Sequence, residues 1–240
     1  MTAIGVFSVK GSPGATTLAL ALAQHGHTQG AVLIEADAAG GDLALRYGIA
    51  QRPGLAQLAA RARHTDARRD VLDGLVRTVR MDGAGPVDLL PAPVEPAAVE
   101  AALIALAADP QALSTAAKAR PLVLDLGRLE ANSTGLRLLA SCDTAVLVVR
   151  GDAVSLGHAR EAGWVRNLTG DCGFVLVDTG PYRATEAADV LAMPCLAAVP
   201  SSRRPLRGRR ATKTARALLT RLGAPAGASM PTPELVEVKG

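Results

Sequence analysis

The residues best suited to chemistry stand in three short groups. The first is Lys10-Gly11-Ser12-Pro13-Gly14-Ala15-Thr16-Thr17, set between an apolar run over residues 4–9 and an Ala/Leu run that starts at Leu18. Strand, turn-rich loop and helix in that order aim backbone N–H groups and a helix N-terminus at one point, and such a point attracts a phosphate. The amides of residues 12–17 do this through conformation, without help from side chains. A Gly/Pro turn that binds nothing fits the same residues.

The second group closes the next apolar run, where Glu35-Ala36-Asp37 follows Val32-Leu33-Ile34. Acids at i and i+2 on a strand end point to the same side, so both reach a pocket beside the loop. In the competing reading Asp37 caps the turn over residues 38–41 and Glu35 pairs with an arginine. The third group is Leu122-Val123-Leu124-Asp125-Leu126-Gly127-Arg128, an apolar run with one carboxylate near its end. Arg128 either approaches a terminal phosphate with its guanidinium or lies solvated in a loop.

These groups need a frame that brings distant strand ends together. Seven apolar runs read as buried strands: 4–9, 31–36, 87–90, 122–126, 145–149, 174–177 and 195–199, with Ala/Leu-rich helical spacing between most of them. Near-continuous apolar strands alternating with helices predict an α/β, doubly wound, mostly parallel sheet of about seven strands with helices on both faces. Ligands in such folds sit beyond the C-terminal ends of the strands. Residues 63–79 read as an exposed helix through Asp66, Arg68, Arg69, Asp70 and Asp73, with its register open.

Composition narrows the function. A chain of 240 residues, 49% hydrophobic, is able to bury one large core. Its five aromatic residues, Phe7, Tyr47, Trp164, Phe174 and Tyr182, are too few to build stacking platforms for single-stranded nucleic acid. Cys142, Cys172 and Cys195 form no CxxC pair and read as small core residues in a reducing compartment. No apolar run approaches 18 residues and no leader pattern precedes the first strand, so the expected location is cytoplasmic. His25 and His27, at i and i+2 on a helix, do not share a face, and His64 and His158 are isolated. Neither a zinc site nor a Ser/His/Asp arrangement is supported.

Set against the P-loop pattern G-x-x-x-x-G-K-[ST], with Gly14 and Thr16 aligned, the first Gly falls on Val9 and the lysine on Ala15. The whole stretch 10–17 is similar to the deviant Walker A box of the ParA/MinD family of P-loop ATPases, K-G-G-x-G-K-T-T, whose additional lysine stands where Lys10 stands. This resemblance spans residues 1–222 and implies a single P-loop NTPase-like domain with a basic C-terminal helix, followed by a disordered tail over 223–240. It implies ATP and Mg as cofactors, with Lys10, Gly11, Ser12, Pro13, Gly14, Ala15, Thr16 and Thr17 around the phosphates and Thr16 and Asp125 at the metal. By the same resemblance Asp37 orients the attacking water. Lys10 acts across a homodimer that sandwiches nucleotide, and Asp178 and Pro200 wall the base. Ala15 carries no cation to set between the β- and γ-phosphates, so hydrolysis is expected to be weak or absent.

The implied function is a spatial-positioning or partitioning switch for an unknown protein cargo. The alternative is a pseudo-ATPase scaffold in pilus or secretion assembly, since the pattern also resembles the TadZ/CpaE branch. Of the 26 Lys and Arg residues, eight lie within 201–222, leaving 18 elsewhere against 22 acidic residues. Arg203, Arg204, Arg207 and Arg209 lead into a helical stripe of Ala211, Ala215, Leu218, Leu219 and Leu222, with Arg210, Lys213 and Arg216 on other faces. This segment is either the last helix of the fold, stripe inward, or a contact for DNA phosphates or anionic lipid, peripheral to nucleoid or inner membrane.

Overall fold

The computed structural model describes residues 3–11, 14–25, 31–63, 71–80, 85–168, 171–178, 180–199 and 208–222. Eight strands form one sheet: β1 (Ala3–Ser8), β2 (Val32–Glu35), β3 (Arg77–Arg80), β4 (Pro86–Leu90), β5 (Leu122–Arg128), β6 (Thr144–Arg150), β7 (Asp171–Val177) and β8 (Cys195–Val199). Their spatial order is β3-β4-β2-β5-β1-β6-β7-β8. All neighbours are parallel except β3, which runs antiparallel to β4. From the central β1 the chain winds toward one edge, returns through β5 and winds toward the other. That reversal beside β1 is the switch point of a doubly wound sheet.

The helices are α1 (Ala15–His25), α2 (Leu43–Tyr47), α3 (Leu55–Ala62), α4 (Pro96–Ala108), α5 (Pro110–Ala119), α6 (Thr134–Leu139), α7 (Ala153–Glu161), α8 (Ala184–Leu191) and α9 (Gly208–Leu222). Two cores result. On one face α1 and α9 cover Ile4, Val6, Leu33, Val123, Val146 and Val175. On the other, α3 to α8 cover Phe7, Ile34, Leu124, Leu147 and Phe174. Burial on both faces is why β1, β2 and β5 read as unbroken apolar runs instead of alternating ones. With so few aromatics the core is mostly Ala, Leu and Val, and Phe7 meets Trp164 at a centroid distance of 5.8 Å.

Each of the seven predicted runs is a strand. The eighth, β3, lies in the stretch read as an exposed helix, and that expectation is corrected over its described part. Residues 71–75 form turns and residues 77–80 the edge strand, while residues 64–70, with Asp66, Arg68, Arg69 and Asp70, lie outside the described residues. An edge strand needs few apolar residues, and in β3 only Val79 is buried. Thr78 instead donates to Asp88, which also takes Arg120 at 2.6 Å. The expected tail over 223–240 is also outside the described residues.

Candidate functional site

β2, β5 and β1 are adjacent, which brings Glu35 and Ser8, at the C-terminal ends of β2 and β1, close to Asp125, which pairs in register with Glu35 midway along β5. A cleft of about 800 Å³ opens there, lined by Ser8, Gly11, Gly14, Ala15, Thr16, Thr17, Asp37, Ala38, Ala39, Asp42, Arg46, Gly127, Arg128, Glu130 and Ser133. The loop from β1 to α1 turns through Gly11 at φ +68° and Gly14 at φ +103°. Residues with a Cβ rarely adopt such values. The first helical bond of α1 runs from Leu18 N–H to the Gly14 carbonyl at 2.9 Å. The amides of the first turn are therefore left without helical partners at the mouth of the cleft, where the helix dipole is positive. Ser12 and Pro13 lie outside the described residues. Lys10 is exposed and, among the described residues, is not part of the lining.

Thr16 and Asp125 meet as the sequence suggested. The Thr16 hydroxyl donates to the Asp125 carboxylate, and Gly127 N–H donates to its Oδ1 at 3.3 Å. Asp125 is 1% exposed. Burial, with the negative charges of Asp37 and Glu35 adding to it against those two hydrogen bonds, pushes its pKa up to about 7. Among the described residues no cluster of three or more His, Cys, Asp or Glu side chains forms a metal cage. A divalent ion here would take the Thr16 hydroxyl and Asp125 and complete its shell from ligand and water oxygens. The donor set fits Mg²⁺, a hard ion usually held by one or two carboxylates plus phosphates.

Asp37 lines the cleft and also caps its turn, so the two readings of it are compatible. Its Oδ1 accepts from Ala39 N–H at 2.9 Å, and its carbonyl accepts from Gly40 N–H at 3.0 Å. Burial raises its pKa, with Asp42 adding to the rise and Arg128 opposing it. Glu35 departs from both expectations: among the described residues it neither lines the cleft nor pairs with an arginine. Its Oε1 accepts from Asp42 N–H at 2.7 Å and Leu43 N–H at 2.8 Å, and its Oε2 from Ala92 N–H at 2.9 Å. Its carboxylate ties the start of α2 to the segment after β4 through backbone amides.

Five polar lining side chains were given no role by the sequence reading: Ser8, Asp42, Arg46, Glu130 and Ser133. Glu130 pairs with Arg128 at 2.6 Å, and both are exposed, at 67% and 54% side-chain accessibility. Arg46, on the short α2, has no ionic partner among the described residues. Asp42 precedes α2 and Ser133 precedes α6. The Ser133-Thr134 pair is a helix-start signal, whereas nothing in the pattern around Arg46 marks it. Asp178, with φ +48°, is not among the described lining residues, and its carbonyl accepts from Gly151 N–H at 3.2 Å. Pro200 lies outside the described residues.

The basic segment ends in α9, whose stripe residues Ala215, Leu218 and Leu219 face inward. Ala215 and Leu218 are fully buried, and α9 packs against α1 and β8. Thr212 Oγ1 meets His25 Nε2 at 2.9 Å, and Arg221 donates to the Cys195 carbonyl at 3.0 Å. Lys213 and Arg216 are exposed; Arg209 and Arg210 belong to the first turn of α9, and Arg203, Arg204 and Arg207 lie outside the described residues. Burial pushes the thiols of Cys142 and Cys195 up to about 12 and about 11, which suits inert packing residues. No single helix among the described residues is long and apolar enough to cross a membrane.

No protein-family model and no curated protein sequence matches the chain. Solved structures do. The cell division ATPase MinD of Pyrococcus furiosus superposes with a TM-score of 0.70 at 19% identity, covering 92% of this chain and 98% of that one. The septum site-determining protein MinD of Pyrococcus horikoshii, complexed with Mg-ADP, gives 0.66 at 21% identity over 94% and 97%. A ParA family ATPase from Chlorobium tepidum gives 0.65 at 19% identity over 92% and 91%. The chain thus has the α/β P-loop NTPase-like fold seen in MinD and ParA-family structures, with its cleft at the switch point of the sheet.

Proposed function

We propose that this protein binds a nucleoside triphosphate with Mg²⁺ in the cleft, turns it over weakly or not at all, and serves as a ParA/MinD-like positioning switch for a protein partner. The observation that carries this reading is the meeting of Thr16 with buried Asp125 directly beneath the glycine-rich turn that opens α1. A nest of amides, a hydroxyl and one buried carboxylate make the set of groups that a Mg-nucleotide needs. The MinD of Pyrococcus horikoshii, on the same fold, is a complex with Mg-ADP.

The bound Mg-nucleotide would supply the phosphate oxygens that complete the ion's shell. The chain's own residues do the rest. Gly11 and Gly14 shape the turn, the first-turn amides of α1 hold the phosphates, and Asp37 stands at the cleft wall to orient a water. Ala15 places only a methyl group, 7% exposed, at the start of the helix. No cation therefore comes from that position to balance charge building up on a transferring phosphoryl group, so turnover is slow. The same residue is what favours a second reading, a scaffold in which nucleotide has no functional turnover.

Titration with a fluorescent ATP analogue, with and without Mg²⁺, tests the binding. Saturable, Mg²⁺-dependent binding is expected, and phosphate release near background. Absence of saturable binding at millimolar analogue would sink the nucleotide reading, and brisk turnover abolished by Asp37→Ala would sink the claim of weak hydrolysis. Light scattering distinguishes the switch from the scaffold: a dimer that forms only with ATP belongs to the first.

A further inference from the structure

The segment that follows β5 carries a polar group with no assigned task. Ser133 occupies the position before α6 but does not cap it, and its Oγ is buried with no hydrogen-bond partner among the described residues. Buried hydroxyls are nearly always paired, so an unpaired one asks for a ligand or a reason. Ser133 lines the cleft together with Arg128, the last residue of β5, and Glu130. The stretch leaves β5 anchored to the phosphate-loop side: Thr16 bonds Asp125, and Leu129 N–H donates to the Ser8 carbonyl at 2.8 Å.

We propose that the terminal phosphate of the bound nucleotide is received by the Ser133 hydroxyl and the Arg128 guanidinium, so that the cation absent from α1 is supplied from the end of β5. This rests on the nucleotide reading above. The Ser133 hydroxyl is free to rotate and donates to a phosphate oxygen. Arg128 makes its direct ion pair with Glu130, while Asp37 acts on it only as a nearby charge. An exposed carboxylate partner of this kind contributes little, and a phosphate offers the same planar fork two acceptors and more charge. The Arg128–Glu130 pair thus parks the guanidinium beside the cleft, and an incoming terminal phosphate exchanges with Glu130. Leu129, bonded to Ser8, keeps the exchange local to the two side chains.

The test compares a non-hydrolysable ATP analogue with ADP, both fluorescent, in Mg²⁺, on the full chain and on Ser133→Ala, Arg128→Gln and Glu130→Gln. The wild type binds both nucleotides. Ser133→Ala and Arg128→Gln each weaken the ATP analogue by about tenfold, the scale of a lost charge-assisted bond, while ADP changes by less than about twofold. Glu130→Gln, which frees Arg128, strengthens the ATP analogue. Equal losses for both nucleotides, or no loss for either, would overturn the assignment while leaving nucleotide binding intact. A wild type that binds neither would instead remove the reading on which the assignment rests. Thermal melting without nucleotide is the second readout: Ser133→Ala melts at or above the wild type, because it deletes an unpaired buried hydroxyl. A lower melting point would show that Ser133 makes a structural bond and would overturn its role.

Discussion

The carboxylate of Asp37 lies against the Cα of Gly127, so closely that a Cβ at position 127 would overlap Asp37 Oδ2. Gly127 itself sits at φ +59°. Backbone conformation and side-chain space therefore both require glycine here, and the contact joins the turn after β2 to the strand that carries Asp125. Gly127→Ala is expected to cost about 1–2 kcal/mol from the left-handed backbone alone, with the overlap adding to it. In the double variant with Asp37→Ala the overlap disappears, so urea unfolding should show the second substitution recovering part of the first loss. Strict additivity of the two would contradict the contact.

Glu35 offers a test of structure against chemistry. It accepts three backbone amides and is 3% exposed. Glu35→Ala strands three N–H groups, each worth roughly 1 kcal/mol or more when left unsatisfied, and should lower unfolding free energy by about 3 kcal/mol. Glu35→Gln keeps one full acceptor and should cost less. If both variants keep wild-type stability and lose only nucleotide affinity, Glu35 belongs to the site and not to the scaffold.

Why the sequence disclosed the frame so fully, and the site only in part, follows from these particulars. Strands buried on both faces must be apolar throughout, so β1, β2, β5 and β6 announce themselves. β3 does not, because an edge strand with one buried residue has no such signature. Thr16 was legible because it stands where α1 begins, and Asp125 because it is the one carboxylate inside an apolar run. The partners of Glu35 were not: Ala92 is 57 residues away, and main-chain amides leave no trace in side-chain patterns. Arg46 and Ser133 reach the cleft through short helices whose placement depends on tertiary packing.

The C-terminal helix yields a prediction about partners. Leu218 is fully buried beneath α9, which packs on α1 and β8. Leu218→Ala should therefore destabilise the whole domain by roughly 2–4 kcal/mol, the range for a buried Leu→Ala change. Calorimetry of the intact chain reads it directly. A helix that detached to lie on a lipid surface would show little change, and its apolar stripe would have to leave this core first. Lys213 and Arg216 face outward, and their replacement by Glu should leave the melting temperature within about 1–2 °C of wild type, as expected for exposed positions.

Asp125 makes the stability of the metal-free protein depend on pH in a direction that is easily checked. Its pKa rises from 3.8 in the open chain to about 7 when folded. Between those values the folded state holds a proton that the unfolded state has released, so unfolding free energy falls as pH rises from about 4 to about 7 and levels off above. Glu35 and Asp37 are raised as well and act in the same sense. Asp88 and Asp152 are lowered, and their effect falls below pH 4. At about 1.4 kcal/mol for each tenfold change in proton affinity, the Asp125 contribution is on the order of a few kcal/mol. Asp125→Asn keeps an acceptor for Thr16 and Gly127 but has no charge to bury. In EDTA it should match the wild type at pH 4.5 and exceed it at pH 8. Urea melts across this range would show a flattened slope for the variant, and Mg²⁺ with nucleotide should restore the wild type at pH 8 while leaving Asp125→Asn unchanged. A wild type with no slope between pH 5 and pH 7 would mean that Asp125 is ionised and already compensated by another group.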